Sequence, residues 1–356
     1  MRVKRPSVLG VCVIAILAIF ISFSVVPSVS AADKNIDLQK TFKWRGNCFH
    51  PAAHAGGRAF KDFCDLVRNM SGGRLDITPY LGGTILKGAD SFDGLKNGIV
   101  EVAALYSGYH QGKVPETFTE SGANGVMPLY LDEHDFWWYE GGANDYMREV
   151  YKKYNIYYLG INLAGPIGLM SKVPIRSTDD FKGLKIRTGG SLALVSEALG
   201  AKTVNTPIGE AYTALQLGTV DAATYSDLSS FVAMGWHEVA KYAVTGCFKT
   251  HGATNISVNL KAWDSLPDDL KAIMLTAGEI SCLLHERYEV ADNIEAKKII
   301  EKAGGEVIKF SPEEMEKVAI ARNKALDALA EKNPRYKEGI ELYREFYLKR
   351  GYKKNW

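Results

Sequence analysis

The 356-residue chain is poor in cysteine, with five in all, and no two of them share a Cys-x-x-Cys spacing. That excludes a zinc knuckle and a disulfide-dense scaffold. No serine stands in a Gly-x-Ser-x-Gly elbow, so Ser/His/Asp hydrolysis has no anchor. Gly82-Gly83-Thr84 and Gly189-Gly190-Ser191 are glycine-rich, but neither completes a phosphate loop or a dinucleotide fingerprint. His50 and His54 have the spacing of zinc ligands on a helix, yet Pro51-Ala52-Ala53 between them lacks the glutamate of a zinc protease. They read as residues flanking a helix start. With no nucleophile and base in view, no catalytic residue is expected and the chain is not read as an enzyme. Nor is there an excess of one charge: 43 Lys and Arg stand against 41 Asp and Glu, which argues against nucleic acid as a partner.

Only one long apolar run is present, over residues 8–26, preceded by Arg2, Lys4 and Arg5 and followed by Val29-Ser30-Ala31. A basic start, an apolar stretch and a small-x-small ending predict a secretory leader cut after Ala31, and hence an exported protein. The run is also long enough to approach the span of a bilayer, so an uncleaved anchor is the competing reading. Cys12 lies too early in the run for a lipoprotein site. Loss of residues 1–31 removes three basic and no acidic residues, leaving a net charge of one negative. Cys48, Cys64, Cys247 and Cys282 remain, and their spacing leaves open whether any pair is bridged.

Hydrophobic spacing predicts strand at 43–46, helix at 54–70, strand at 75–80, helix at 88–97, strand at 100–105 and a single long aromatic-rich helix at 133–154. Strands follow at 156–161 and 167–171. Strand 184–186, helix 191–199, strand 202–205 and a strand starting at Val220 form a βαβ run. Residues 257–259 read as a return strand, 267–304 as a helix too long for one small domain, 306–310 as strand and 312–331 as helix. The alternation of strand and helix makes the class α/β. Asp179-Asp180 and Asp268-Asp269 stand at helix starts, where the dipole favours negative charge. The aromatic cluster Phe136 to Tyr139 reads as core.

Within the βαβ run Arg187 falls at the carboxyl end of its strand, the end that faces the ligand crevice in open α/β sheets. A guanidinium there presents a planar fork of donors matched to a carboxylate. Tyr225 ends another strand on the same side, so the two are placed to share a ligand. The glycines before Ser191 free helix amides that favour an anion.

The segment Asp180-Phe181-Lys182-Gly183-Leu184-Lys185-Ile186-Arg187, with Leu199-Gly200-Ala201, Glu210-Ala211-Tyr212 and Ala214-Leu215-Gln216-Leu217-Gly218-Thr219-Val220-Asp221, resembles the solute-binding proteins of tripartite ATP-independent periplasmic (TRAP) transporters. Ser71-Gly72-Gly73-Arg74-Leu75 matches a second landmark. Lys43-Trp44-Arg45, Tyr139-Glu140-Gly141-Gly142 and Val239-Ala240-Lys241-Tyr242 are similar to the branch that binds 2-oxo acids and lactate. The resemblance covers essentially the whole mature chain. It implies a two-lobed periplasmic-binding-protein fold of type II-like order with a long helix bracing both lobes. Lobe I is expected at 32–162 plus 246–280, lobe II at 163–245 plus 281–310, and C-terminal helices at 311–356.

By the same resemblance Arg187 makes the main salt bridge to a carboxylate, Tyr225 and Phe248 line its side, and Asn47, Phe49, His50, Tyr106 and Ser107 come from lobe I. The partners implied are a small carboxylate, the membrane permease and, through the C-terminal helix, a second copy. Members of the branch that hold the ligand through a metal use a glutamine, a glutamate and a tryptophan backbone. Here those positions are Pro166, Thr224 and Tyr225, which offer no anionic ligand to a hard cation such as calcium, so neither metal nor cofactor is expected. The reading is a carrier of a 2-oxo or 2-hydroxy monocarboxylate. An aromatic carboxylate, such as an indole or phenyl 2-oxo acid, and a periplasmic sensor accessory role are the alternatives.

Overall fold

A computed structural model describes residues 40–120, 136–248 and 251–349. The expected leader and its cleavage site lie outside the described residues, as do the first residues of the expected helix 133–154 and the side chain of Pro166. Two sheets organise the chain. The first contains β1 (Phe42–Asn47), β2 (Leu75–Tyr80), β3 (Val102–Leu105), β4 (Ile156–Pro166) and β10 (His251–Asn259), in the order β2-β1-β3-β10-β4. The second contains β5 (Leu169–Ser171), β6 (Lys185–Arg187), β7 (Lys202–Val204), β8 (Ala222–Thr224), β9 (Tyr242–Thr245) and β11 (Glu306–Lys309), in the order β11-β9-β5-β8-β6-β7. In the first, β1 runs parallel to β2 and β3 while β10 is antiparallel to its neighbours; in the second, β6 runs parallel to β7 and β8 while β5 is antiparallel to β8 and β9. All four residues of β3 are buried, as a strand covered on both faces requires.

The chain crosses from the first sheet to the second between Pro166 and Leu169, and returns between Thr245 and His251. A third crossing is made by one helix, Asp268–Lys302. Its early residues Leu270, Met274 and Ala277 pack into the first-sheet core with Trp44, Phe63 and Leu159. Its late residues Ala296 and Ile300 pack into the second-sheet core with Trp236 and Phe231. The helix is therefore continuous through residues 280 and 281, where the sequence reading divided the lobes. Arg74 pairs with Asp269 in its first turn, so the acidic start serves both the helix dipole and the edge of the first sheet. Asp180 likewise closes a capping box on Ser177.

The expected single helix 133–154 is broken. Residues 136–139 are helical, but Gly142 adopts φ +86°, and a second helix, Ala143–Lys152, starts after it. The positive φ is a conformation open to glycine and costly for other residues, and the aromatic pattern running across it gave no sign of the stop. Trp137 and Trp138, just before the break, have no exposed surface and belong to the first-sheet core. All four cysteines from Cys48 onward are free and buried. Desolvation pushes the Cys48 thiol up to about 12.

Beneath the first sheet lies a buried polar network. Tyr151 donates its hydroxyl proton to Glu120 Oε2 at 2.7 Å, and Asn255 Nδ2 donates to Glu120 Oε1 at 2.8 Å. His110 Nε2 meets the Tyr151 oxygen at 2.9 Å and, since that hydroxyl is already donating, acts as the donor. Burial raises the Glu120 carboxyl to about 7 in spite of these bonds. The folded state thus keeps a proton that the unfolded chain gives up near pH 4.3, and the stability so gained at low pH is lost as pH rises toward and through 7. Replacing the group by a neutral one, Glu120→Gln, should remove this slope: the melting temperature of the variant relative to the parent rises between about pH 5 and pH 8, by an amount corresponding to on the order of 3 kcal/mol at most. Parallel thermal melts across that range, with no change in the difference, would refute it.

Candidate functional site

A cleft of about 370 Å³ opens between the two sheets, lined from one side by Phe49, His50, His54, Tyr106 and Tyr109 and from the other by Arg187, Asn205, Ile208, Thr224 and Tyr225. The long helix contributes His285 and Glu289 to its wall. The volume falls in the range of small-molecule sites.

Arg187 is the last residue of β6, and its guanidinium is held by main-chain carbonyls. Nε and Nη2 donate to Thr206 O at 3.0 and 2.8 Å, and Nη1 donates to Thr224 O at 3.0 Å. Three of the five N–H groups of a guanidinium are thereby fixed and two remain. Desolvation lowers the Arg187 pKa, with Tyr109, Tyr106 and Tyr225 acting in the opposite direction. The site accordingly holds a partly dehydrated cation whose charge no carboxylate contact relieves among the described residues. The next helix, Ser191–Ala198, begins immediately beyond, with Gly190 at φ +58° as its first cap, so the helix start and Arg187 face the same cleft.

The other wall is made of rings. Tyr106 and Tyr109 meet edge to face at 5.1 Å, Tyr109 and Phe49 at 5.8 Å, and Phe49 lies 4.1 Å from His50. His50 stacks on His54 at 4.2 Å. His54 is the N-cap of the helix Ala55–Met70, its Nδ1 accepting from Gly56 N at 3.0 Å. This is the helix-start role expected of the histidine pair. Burial pushes His54 down to about 4 and His50 well below its ordinary value. Tyr225 is pushed up to about 12, chiefly by burial.

Of the eight residues expected at the site, the structure brings Arg187, Tyr225, Phe49, His50 and Tyr106 around the cleft. Three lie outside its lining. Asn47 is fully buried and engaged on both sides of its amide, donating to Leu86 O and Ser91 Oγ and accepting from Leu86 N, so it clamps a loop. Phe248 has no exposed surface and packs edge-on against Phe181 in the second-sheet core. Ser107 is buried behind Tyr106, with an Oγ that makes no hydrogen bond among the described residues. Missed were His54 as a lining residue, Tyr109, Asn205, His285 and Glu289. A signal for the last two was present: Ser281, His285 and Glu289 recur every fourth residue on one helix face, between apolar positions of the same buried stripe.

The residues near Arg187 do not fit a calcium ion, which takes six to eight oxygen ligands with carboxylates among them. Thr224 is neutral, and its hydroxyl is engaged with Thr188 Oγ1 at 2.8 Å. Among the described residues no group of three His, Cys, Asp or Glu side chains is arranged to hold a metal.

The model of bacterial extracellular solute-binding protein family 7 matches residues 47–333. The chain is 29% identical over 284 residues to a monocarboxylate 2-oxoacid-binding periplasmic protein of Nostoc sp. (strain PCC 7120), covering 79% of this chain and 77% of that one. Among solved structures it is similar to a TRAP transporter solute-binding protein of Bordetella bronchiseptica, a dimer with copurified calcium and picolinate in one active site and the other apo, at 28% identity and TM-score 0.76 over 88% of this chain and 93% of that one. It is also similar to a TRAP periplasmic solute-binding protein of Colwellia psychrerythraea with bound calcium and pyruvate, at 28% identity and TM-score 0.74 over 86% and 94%.

The carbonyl contacts of Arg187 make it structural as well as exposed to the cleft. Arg187→Ala strands the carbonyls of Thr206 and Thr224 and should cost about 1–3 kcal/mol of stability. Chemical unfolding of the purified variant measures this, and an unchanged midpoint would show that the three contacts carry no net energy.

Proposed function

The chain belongs to family 7 of the bacterial extracellular solute-binding proteins, and from that premise we propose that its cleft captures a monocarboxylate of the 2-oxo or 2-hydroxy type by a direct salt bridge to Arg187. It is a solute-binding protein of the TRAP type for small organic acids, and not an enzyme. The observation that carries the proposal is the dehydrated guanidinium at the end of β6, with two N–H groups left after its contacts to Thr206 and Thr224. A carboxylate accepts such a pair in one plane, and the charge-assisted bonds offset the desolvation of both ions. Tyr225 and Tyr106 stand beside that position, and the start of the helix Ser191–Ala198 adds a favourable dipole.

The similarity to a 2-oxoacid-binding protein of Nostoc supports this class. Two similar proteins hold calcium, whereas Thr224 and Tyr225 supply no anionic oxygen here. Capture is thus read as metal-free. An aromatic acid is favoured over a short aliphatic one by the continuous ring wall from Tyr106 through Phe49 to His50 and by a volume of about 370 Å³, which a three-carbon acid would leave largely to water. The loaded protein passes its acid to the membrane permease from the periplasm, which it reaches with the leader 1–31; a homodimer through the C-terminal helix Pro334–Lys349 belongs to the same reading.

A ligand that binds only the folded state at a hundred times its dissociation constant stabilises it by about 2.7 kcal/mol. A thermal-shift screen of aliphatic and aromatic 2-oxo and 2-hydroxy acids should raise the melting temperature equally with calcium or with chelator. Arg187→Ala, confirmed as folded by circular dichroism, should lose at least about 100-fold in affinity. A shift that requires calcium would defeat the metal-free reading, and undiminished affinity in Arg187→Ala would defeat the salt bridge.

A further inference from the structure

The ring wall of the cleft is a chain with two different ends. At one end Tyr109 and Tyr225 feel the charge of Arg187. From there the rings follow one another, Tyr109 to Phe49 at 5.8 Å, Phe49 to His50 at 4.1 Å and His50 to His54 at 4.2 Å. At the other end the ionisable groups that act on His54 are His285, Glu289, Arg58 and Asp292, the last two paired with each other at 2.7 Å. The cleft thus passes from a cation, along apolar rings, to two stacked histidines.

Those histidines are uncharged and have hydrogen-bonding capacity to spare. Burial holds both below their ordinary values, His54 at about 4, so near neutral pH each is an imidazole with one N–H and one lone pair. His54 Nδ1 accepts from Gly56 N at 3.0 Å, which places the ring proton on Nε2. That N–H meets no acceptor among the described residues. His50 is 9% exposed, and its ring nitrogens make no hydrogen bond among the described residues. Its Cδ2 and Nε2 edge is pressed on the helix start: a Cβ on Gly56 would lie 2.7 Å from Cδ2 and 3.0 Å from Nε2. The bare glycine lets the ring sit there and leaves Nδ1 on the opposite edge. A buried polar group without a partner costs about 1–3 kcal/mol. Polar groups lining a ligand cavity recover that cost from the molecule that fills it.

We propose that His50 and His54 form a subsite for a hydroxyl group at the far end of an aromatic acid. The proposal rests on Arg187 as the carboxylate anchor and on the aromatic reading of the cleft. A hydroxyl suits the pair because it accepts from the His54 Nε2–H and still has a proton to give to a lone pair of His50. Where His50 presents an N–H instead, the hydroxyl oxygen has a second lone pair for it. An indole N–H only donates and leaves the His54 proton unmet, and an unsubstituted phenyl edge leaves both rings unmet. The substrate so described carries its carboxylate and its hydroxyl at opposite ends of a flat apolar ring. That is the order in which the cleft presents cation, rings and histidines.

The test is calorimetric titration of the purified mature chain, near neutral pH, with 2-hydroxy-3-phenylpropanoate, 2-hydroxy-3-(4-hydroxyphenyl)propanoate and 2-hydroxybutanoate. The first two differ only in the ring hydroxyl. The wild type should bind the hydroxylated acid at least about tenfold more tightly than its partner. His50→Phe keeps a ring in the stack and removes its nitrogens; His54→Asn keeps an oxygen for the helix cap and removes the imidazole. Each should reduce the ratio to within about threefold. Equal wild-type affinities for the two aromatic acids, or a preference for the unsubstituted one, overturn the proposal whether or not the variants fold. So does a ratio that stays undiminished in either variant shown to be folded. If neither aromatic acid binds while 2-hydroxybutanoate does, the Arg187 anchor stands and the hydroxyl subsite falls. Failure of all three acids to bind removes both. Affinity for the hydroxylated acid that persists in folded Arg187→Ala removes the anchor, and with it the orientation on which the subsite depends.

Discussion

The cleft depends on a cation that is only partly satisfied by the protein itself. Arg187 is anchored through Thr206 O and Thr224 O, which hold the guanidinium plane, and it stands in a setting dry enough to lower its pKa. Carbonyl dipoles orient the charge without neutralising it. Everything around it follows from that arrangement: β6 ends where the side chain enters the cleft, Thr224 is braced against Thr188, and Gly190 starts a helix at the same point. The same group that would fasten a ligand also ties the ends of β6 and β8 to the loop after β7, so its binding and structural roles are joined in one side chain.

The opposite wall is built on a different principle. Burial holds His50 and His54 below their ordinary values, and Glu289 lies against His285 on the helix that carries both. The charge of the cleft is therefore concentrated at one end, and the ring wall between the ends is largely apolar. Such a polarised site aligns a ligand before any side chain closes on it, because only one orientation places the carboxylate at the cation.

Much of the fold was legible in the sequence because its elements are short and regularly patterned. Strand 75–80 and the helices ending at Met70 and starting near Asp268 were read nearly to the residue, since Ser71-Gly72-Gly73 and the acidic start are local signals. The break at Gly142 was not read, because a single positive-φ glycine interrupts an aromatic pattern without altering its period. For the site, Arg187 and Tyr225 were visible from their place at strand ends. Asn47 and Phe248 were misplaced because a polar or aromatic residue near a strand end looks the same whether it points into the cleft or clamps the core behind it. His285 and Glu289 were missed because their four-residue recurrence with Ser281 was not read as a polar patch in the buried stripe of a long helix.

The four free, buried cysteines bear on how such a molecule comes to be made. Only the thiolate attacks disulfides and oxidants, and Cys48, Cys64 and Cys247 are held as thiols by burial. With no covalent cross-link among them, the native state is reached by packing alone. Buried and uncharged, these sulfurs are shielded from thiol exchange and from oxidants in the surrounding solution.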